Sequence, residues 1–596
     1  MLNTITHRLI RLWHHISLRR RQQMVLLLVM MLFASFAEIL SIGAVLPFLG
    51  VITAPKLVFE HHAMQQIIQT LGVTAPEQLL LPLTVAFCMA ALIAGLMRLT
   101  ILWASTRLSF AIGADLSIGI YRRTLYQPYA VHCTRNSSEV INGISGKTIS
   151  VIYGIIVPVS TLISSSVLLL FILFALLAVE PIIAFAAFSG FGLIYVLIVS
   201  LTRKRLLANS QRIAQESSNA IKSLQEGLGA IRDIIIHGSQ ATFCQIYRNA
   251  DLPLRRAQGN NLFVSSCPRY GMESLGIVLI AALAYYLAQQ PDGIAKAIPI
   301  LGVLALGAQR LLPVLQQIYG SWTTIIGSQG SLQDTLELLD QPLPDHASQP
   351  AAQPLPFKHN INLKQLSFRY SPQTPYILKR LNLSIAKGSR VGFIGYTGSG
   401  KSTLLDIVMG LIEPTDGTLE IDDQAITPSN HRAWQTHIAH VPQSIFLTDT
   451  TIEENIAFGL PKDQIDGERV RQVALQAQIA DIIGSWPKQY KTVVGERGIR
   501  LSGGQRQRIG IARALYKQAD VIIFDEATSA LDNETEQAVM EAIESLCDDI
   551  TVLIIAHRLT TLKNCTQIVE LGEGGIKRIA TYQDIVNQGA VLPQKN

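Results

Sequence analysis

A chain of 596 residues is too long for one hydrophobic core, so at least two domains are expected. Only 15% of residues are charged and mean hydropathy is +0.31, against about 25% charged in soluble domains, which points to a membrane domain and away from an all-soluble protein. The net charge of +6 makes no case for nucleic acid, because the excess lies in loops between apolar stretches, where membrane topology accounts for it.

Six mainly apolar stretches, at 24–52, 79–103, 154–178, 182–201, 262–288 and 294–319, are long enough to cross a bilayer as helices. A run such as 167–179 has no polar face to offer water, which argues against buried helices of a soluble protein. Arg19, Arg20 and Arg21 precede the first stretch, and Ser35-Phe36-Ala37 faintly resembles a cleavage site. The apolar run continues to Ile52, so an uncleaved span is the better reading. Between the first and second stretches, 57–71 carries apolar residues at a helical repeat and reads equally as an interfacial helix or an exposed loop helix.

Basic residues gather before the first span, between the second and third (Arg107, Arg122, Arg123, Arg135, Lys147) and between the fourth and fifth (among them Arg203, Lys204, Arg205 and Arg212). The alternate connections offer little beyond Lys56, which predicts both termini in the cytoplasm. Most loop length then projects inward, as helices able to carry force to a motor. Cys88, Cys133, Cys244, Cys267, Cys547 and Cys565 lack the close pairing of a metal site, and none falls in an external loop on this topology; they read as reduced and structural.

Ionisable residues inside spans are costly unless they face water or a partner. Arg98, Arg269 and Arg310 are the informative ones, with Glu38 and Glu273. Arg269 and Glu273 are four apart on one helical face and read as a pair, and Arg98 reads as a residue near the cytoplasmic end that snorkels; alternatively the arginines line a cavity that takes phosphate or another anion.

A Pro-, Gln- and Ala-rich linker at 341–358 separates a membrane domain, 1–340, from 359–596, which reads as a soluble α/β domain. There Gly395-Tyr396-Thr397-Gly398-Ser399-Gly400-Lys401-Ser402 follows an apolar strand at 390–394 and precedes a helix that opens at Thr403, the context of a phosphate-binding loop. Its glycines let backbone N–H groups converge on phosphate oxygens; Lys401 is expected to reach the β- and γ-phosphates of ATP and Ser402 to ligate Mg²⁺. A second strand, 521–526, ends in Asp525, suited to the Mg²⁺ shell, and Glu526, placed to deprotonate or orient an attacking water.

Leu501-Ser502-Gly503-Gly504-Gln505 resembles the signature of the ATP-binding-cassette transporters, a far more specific element than the phosphate loop. The resemblance implies that Ser502, Gly503, Gly504 and Gln505 meet the nucleotide held by an opposite subunit, with Ser502 and the Gly504 amide receiving its γ-phosphate. It further implies that Tyr370 stacks on adenine, Gln443 links Mg²⁺ and water to the membrane domain, Asp532 couples the two ATP sites and His557 contacts the γ-phosphate. Glu496 lies in a segment like the one that touches cytoplasmic loops, and 121–128 and 225–233 resemble the intracellular loops of exporter-type members.

The implied fold is a polytopic α-helical membrane domain of six transmembrane helices fused to an α/β P-loop ATPase domain, a half-exporter. One phosphate loop and one signature per chain imply a dimer, and intact motifs favour two copies of this chain. The stretches 38–50, Pro268-Arg269-Tyr270 with Glu273, and 304–319 resemble the lipid-linked-oligosaccharide flippases of bacterial glycan pathways. That implies a polyprenyl-pyrophosphate oligosaccharide as cargo, among membrane lipids of the bacterial inner membrane, with no nucleic acid as partner. Export of a lipid A-type lipid, peptide or drug, or a non-transporting receptor role, stands as the alternative.

Overall fold

Apolar sequence in the first part of the chain becomes helix after helix. The structure, a computed structural model, describes residues 2–44, 48, 51, 52, 59, 75–179, 181–288, 311–350, 352–527, 531, 533–544, 549–556 and 558–587. Of the segment 57–71 only residue 59 is described, and the sixth apolar stretch is described from 311 onward. The chain divides into one unit of Met1–Gln127 with Thr134–Pro344 and another of Pro128–Cys133 with Asp345–Asn596.

In the first unit, helices cover Leu2–His15, Leu18–Gly43, Leu80–Leu125, Pro181–Gly229, Gln240–Ala288, 311–327 and Gln329–Leu339. Between 137 and 179 helix is continuous, but π turns at Gly143–Lys147 and Ile152–Ile156 interrupt the α segments. Leu80–Leu125, with 46 residues, and the two 49-residue helices each run about 70 Å, more than twice the roughly 30 Å hydrocarbon core, so long polar ends continue beyond any membrane span. Among the described residues, helices over Leu18–Ser41, Leu80–Leu125 and Ser137–Phe174 are long and apolar enough to cross a membrane by length and composition. Leu92, Leu96, Leu99 and Leu102 stand exposed on the second, the surface a lipid-facing helix presents.

Ile112, Leu116 and Ile120, one turn apart, pack with Val151, Ile155, Leu332 and Leu336 in a buried cluster. Beyond it, the chain leaving Gln329–Leu339 is gripped from several sides. Arg11 pairs with Asp340, His15 Nε2 lies 2.7 Å from the same carboxylate, Arg123 donates to the Gln341 carbonyl at 2.5 Å and Gln127 to the Pro342 carbonyl at 2.9 Å. Burial alone would raise the Asp340 pKa; hydrogen bonds from Arg11 and His15 outweigh it and hold the carboxyl below its usual range.

Among its described residues the second unit contains ten strands: β1 (Asn360–Phe368), β2 (Leu378–Ala386), β3 (Arg390–Ile394), β4 (Asp416–Ile421), β5 (Gln424–Ala425), β6 (Ile438–Val441), β7 (Val521–Asp525), β8 (Thr551–Ile555), β9 (Gln567–Gly572) and β10 (Gly575–Ala580). An antiparallel sheet has the order β2-β1-β4-β5, and a six-stranded sheet the order β10-β9-β3-β8-β7-β6, parallel from β9 to β6. β3, β7 and β8 are buried along almost their whole length and rich in Val, Ile and Leu, as strands covered on both faces must be. On one side Phe393, Leu405, Trp434 and Ile523 join the core with the antiparallel sheet. On the other, Val441, Ile452, Val473, Ile509 and Phe524 pack the helices Ile452–Ile456, Gly467–Gln476 and Gly503–Tyr516.

Candidate nucleotide site at the carboxyl ends of the parallel strands

Ligands of open α/β sheets bind outside the carboxyl ends of the strands. Here those ends carry the residues singled out from sequence: the glycine-rich loop leaves β3, Gln443 follows β6 by two residues, and Asp525 and Glu526 close β7. His557, two residues past β8, and Asp532 lie outside the described residues, as does Arg310.

The loop needs its glycines for separate reasons. Gly395 has φ 149°, and a Cβ there would lie 2.4 Å from the Leu571 carbonyl oxygen, so β9 leaves no room for a side chain. Gly398 and Gly400 take φ of 88° and 93°, turning Tyr396, Thr397 and Ser399 around the start of the helix Lys401–Val408, which continues through Ser402 and Thr403. Lys401 is buried, and its Nζ donates to the carbonyls of Gly395 at 2.8 Å and Tyr396 at 3.1 Å. Burial holds its pKa below the ordinary lysine value against the pull of Glu526 and Asp525. Ser399 Oγ is buried within the loop with no hydrogen-bond partner among the described residues, as expected where a ligand supplies one.

Gln443 Nε2 donates to Glu526 Oε2 at 2.5 Å. Glu526 sits in left-handed backbone, φ 51°, its N–H donating to the Ile555 carbonyl at the end of β8. A non-glycine residue held there stores strain that recurs at functional sites. Tyr370 is exposed, stands edge-on to Phe368 with ring centroids 5.0 Å apart, and meets Thr403 Oγ1 through its hydroxyl at 3.3 Å. That anchors an open aromatic face beside the glycine-rich loop.

Ser502 and Gln505 form a capping box: Ser502 Oγ accepts from the Gln505 N–H at 3.2 Å and Gln505 Oε1 from the Ser502 N–H at 2.9 Å. A 14-residue helix, opening with Gly503 and Gly504, therefore presents a partially positive end suited to an anion. Of the three arginines singled out in the membrane part, two are described. Arg98 pairs with the buried Glu38, and Arg269 Nε lies 3.0 Å from Glu273.

Asp406, five residues along the helix from Lys401, went unread in the sequence. Burial, then the neighbouring Asp525, push its pKa from 3.8 up to about 6. A carboxyl whose folded pKa is raised binds more protons folded than unfolded, so its ionisation destabilises the protein as pH rises through this interval. Asp406→Asn is expected to stabilise the domain at pH 7.5 by of order 1 kcal/mol, allowing for screening of a half-exposed group, and to give almost no gain near pH 4. Thermal melts at the two pH values check this; an equal gain at both contradicts it.

Comparison with known proteins agrees with this layout. The family model described as ABC transporter matches residues 378–529, and the ABC transporter transmembrane region matches 57–291. The chain is 30% identical over 401 residues to an ATP-dependent lipid A-core flippase of Alkalilimnicola ehrlichii, covering 67% of each chain. It is 32% identical over 394 residues to that of Chromohalobacter salexigens, covering 66% of this chain and 67% of the other. The solved structure of a bacterial Atm1-family ABC exporter with ATP bound superposes with a TM-score of 0.78 over 96% of this chain and 97% of that one; at 22% identity this speaks for the fold alone. The chain belongs to the ABC transporter family, as an ATP-hydrolysing half-exporter with a helical transmembrane domain and an α/β nucleotide-binding domain on one polypeptide.

Proposed function

We propose that two copies of this chain form a pump that uses ATP to flip a phosphate-bearing glycolipid across a bacterial inner membrane, with both termini cytoplasmic. The observation that carries the cargo class is the placement of ion pairs, Arg98 with Glu38 and Arg269 with Glu273, in otherwise apolar helices. Charge in such helices is retained where it serves a pathway, and guanidinium matches phosphate. A polyprenyl-pyrophosphate oligosaccharide is the first cargo proposed, following Arg98, Arg269 and Arg310. A lipid A-type lipid is the second, favoured by relatives that carry that name.

In this reading Tyr370 stacks the adenine, the loop amides of 395–402 and the Lys401 ammonium hold the β- and γ-phosphates, and Ser502 with Gly504 of the second copy closes the site. The hydroxyl of Ser402, the amide oxygen of Gln443 and the Asp525 carboxylate form a hard oxygen set that fits Mg²⁺, which when bound neutralises phosphate charge. Glu526 takes the proton of the attacking water, with Gln443 fixing the direction of its carboxylate. His557 contacts the γ-phosphate, and Asp532 ties the two sites together.

Proteoliposomes holding the purified chain, loaded with each fluorescent lipid in turn, test the cargo. ATP-dependent translocation of the polyprenyl-pyrophosphate oligosaccharide by wild type, absent in Glu526→Gln, is the expected result. Movement of the lipid A-type lipid alone selects the second cargo, and hydrolysis with movement of neither refutes the glycolipid reading.

A further inference from the structure

Arg513 lies at the far end of the signature helix Gly503–Tyr516 and has no role in the chemistry above. It is withdrawn from water: burial alone draws its pKa from 12.5 down to about 10, so it stays protonated. Among the described residues no carboxylate pairs with it. Its guanidinium instead donates to the Asn455 carbonyl at 2.9 Å, the Phe446 carbonyl at 3.1 Å and Asn455 Oδ1 at 3.3 Å, and lies 4.4 Å over the Phe458 ring. A partly buried cation held only by carbonyls and an aromatic face is an expensive way to fill space, and an apolar side chain of similar volume is often as stabilising. What the planar fork supplies is simultaneous reach to separate backbone carbonyls.

Those carbonyls belong to the segment that begins at Gln443. Phe446 is three residues beyond it, and Asn455, fully buried, gathers 448–451 by accepting from the Thr448 N–H at 3.0 Å and donating to the carbonyls of Thr448 at 3.0 Å and Thr451 at 3.1 Å. The same helix touches the segment again through Gly510, where a Cβ would lie 2.5 Å from Ile445 Cδ1. Lys517, just past the helix, donates to the carbonyls of Gln435 at 2.9 Å and Ile438 at 2.5 Å, before and at the start of β6. The end of the helix thus holds β6 and the Gln443 segment on both sides, while Ser502 caps its other end about 17 Å away.

We propose that Arg513 is a positioning residue that makes the Gln443 segment move with the signature helix, so that a phosphate seated at Ser502 is felt at the Gln443–Glu526 pair. The proposal rests on the reading of Ser502, Gln443 and Glu526 given above. A packed helix moves as a rod, and a displacement at Ser502 reaches Ile445 and Phe446 through contacts too close to absorb it. Because the phosphate at Ser502 belongs to the other nucleotide of a dimer, Arg513 links the two ATP sites.

The test is the ATP dependence of hydrolysis by the full-length protein in lipid nanodiscs, for wild type, Arg513→Lys and Gly510→Ala, with thermal stability measured in parallel. Lysine keeps the charge and loses the fork; alanine displaces Ile445 and leaves Arg513 untouched. Both variants are expected to lower the Hill coefficient from about 2, the number of sites in a dimer, toward 1, and the maximal rate about ten-fold. Half-saturating ATP and thermal stability should change little. Wild-type cooperativity and rate in both variants overturn the proposal, as does a wild type without cooperativity or a rate loss that merely follows lost stability. If Arg513→Lys does not fold, Gly510→Ala decides alone. Glu526→Gln separates the two levels: full hydrolysis in that variant refutes the site reading, whereas its inactivity beside normal Arg513→Lys and Gly510→Ala refutes the strut only.

Discussion

Glu526→Gln is expected to bind ATP as tightly as wild type and to hydrolyse it at least about 100-fold more slowly, the loss that follows when a positioned general base is removed. The substitution isolates proton acceptance because so little else changes. An amide has the shape of the carboxylate, and its oxygen still accepts from Gln443 Nε2, which stands 2.5 Å from Glu526 Oε2 in the native protein. The left-handed turn at φ 51° and the N–H bond to Ile555 involve backbone alone and survive. In the proposed reading phosphate binding is carried by other residues, the 395–402 amides and the Lys401 ammonium. Binding of a fluorescent ATP analogue and phosphate release, measured on one preparation, separate the two properties. Hydrolysis within a few-fold of wild type removes Glu526 from the role of base; lost binding with lost hydrolysis means that the substitution has disturbed the glycine-rich loop instead.

The nucleotide domain was legible in the sequence because its motifs record demands of the backbone. The glycine at 395 is required by the Leu571 carbonyl, and the pair at 525 and 526 marks the end of a buried strand; either reads from a few consecutive residues. The apolar stretches showed where helices lie but not how far they continue: Pro181–Gly229 runs 28 residues past the apolar limit at Leu201, through polar sequence that only packing holds in helical form. Interactions were legible when local and hidden when not. Arg269 and Glu273 sit at i and i+4, a spacing that announces a pair. Arg98 finds Glu38 sixty positions away, and nothing in either neighbourhood points to the other. Arg513 was invisible for a further reason: its partners are carbonyl groups, which every residue has. The segment Pro128–Cys133 belongs with the nucleotide unit although its sequence neighbours do not, a grouping no local pattern encodes.

Arg98→Ala is expected to destabilise the protein by about 3 kcal/mol, the low end for a broken buried ion pair because the arginine itself is half-exposed while Glu38 is buried. The loss comes both from the missing attraction and from a buried carboxylate that keeps no guanidinium beside it. Removing both charges, as Glu38→Gln with Arg98→Met, should restore thermal stability to near the wild-type value, since a neutral pair of similar volume leaves no unmatched ion. Transport then distinguishes two reasons for keeping the pair. If Arg98 and Glu38 only hold two helices together, the stable double variant moves lipid at the wild-type rate. If the guanidinium also meets the cargo phosphate, the double variant stays folded and hydrolyses ATP but translocates at least about ten-fold more slowly, the usual effect of losing a charge-assisted hydrogen bond of about 1.5 kcal/mol or more. The second outcome is the expected one. A membrane protein that needed adhesion alone between these helices could obtain it from small-residue packing, without placing a carboxylate at 6% exposure beside a half-exposed cation.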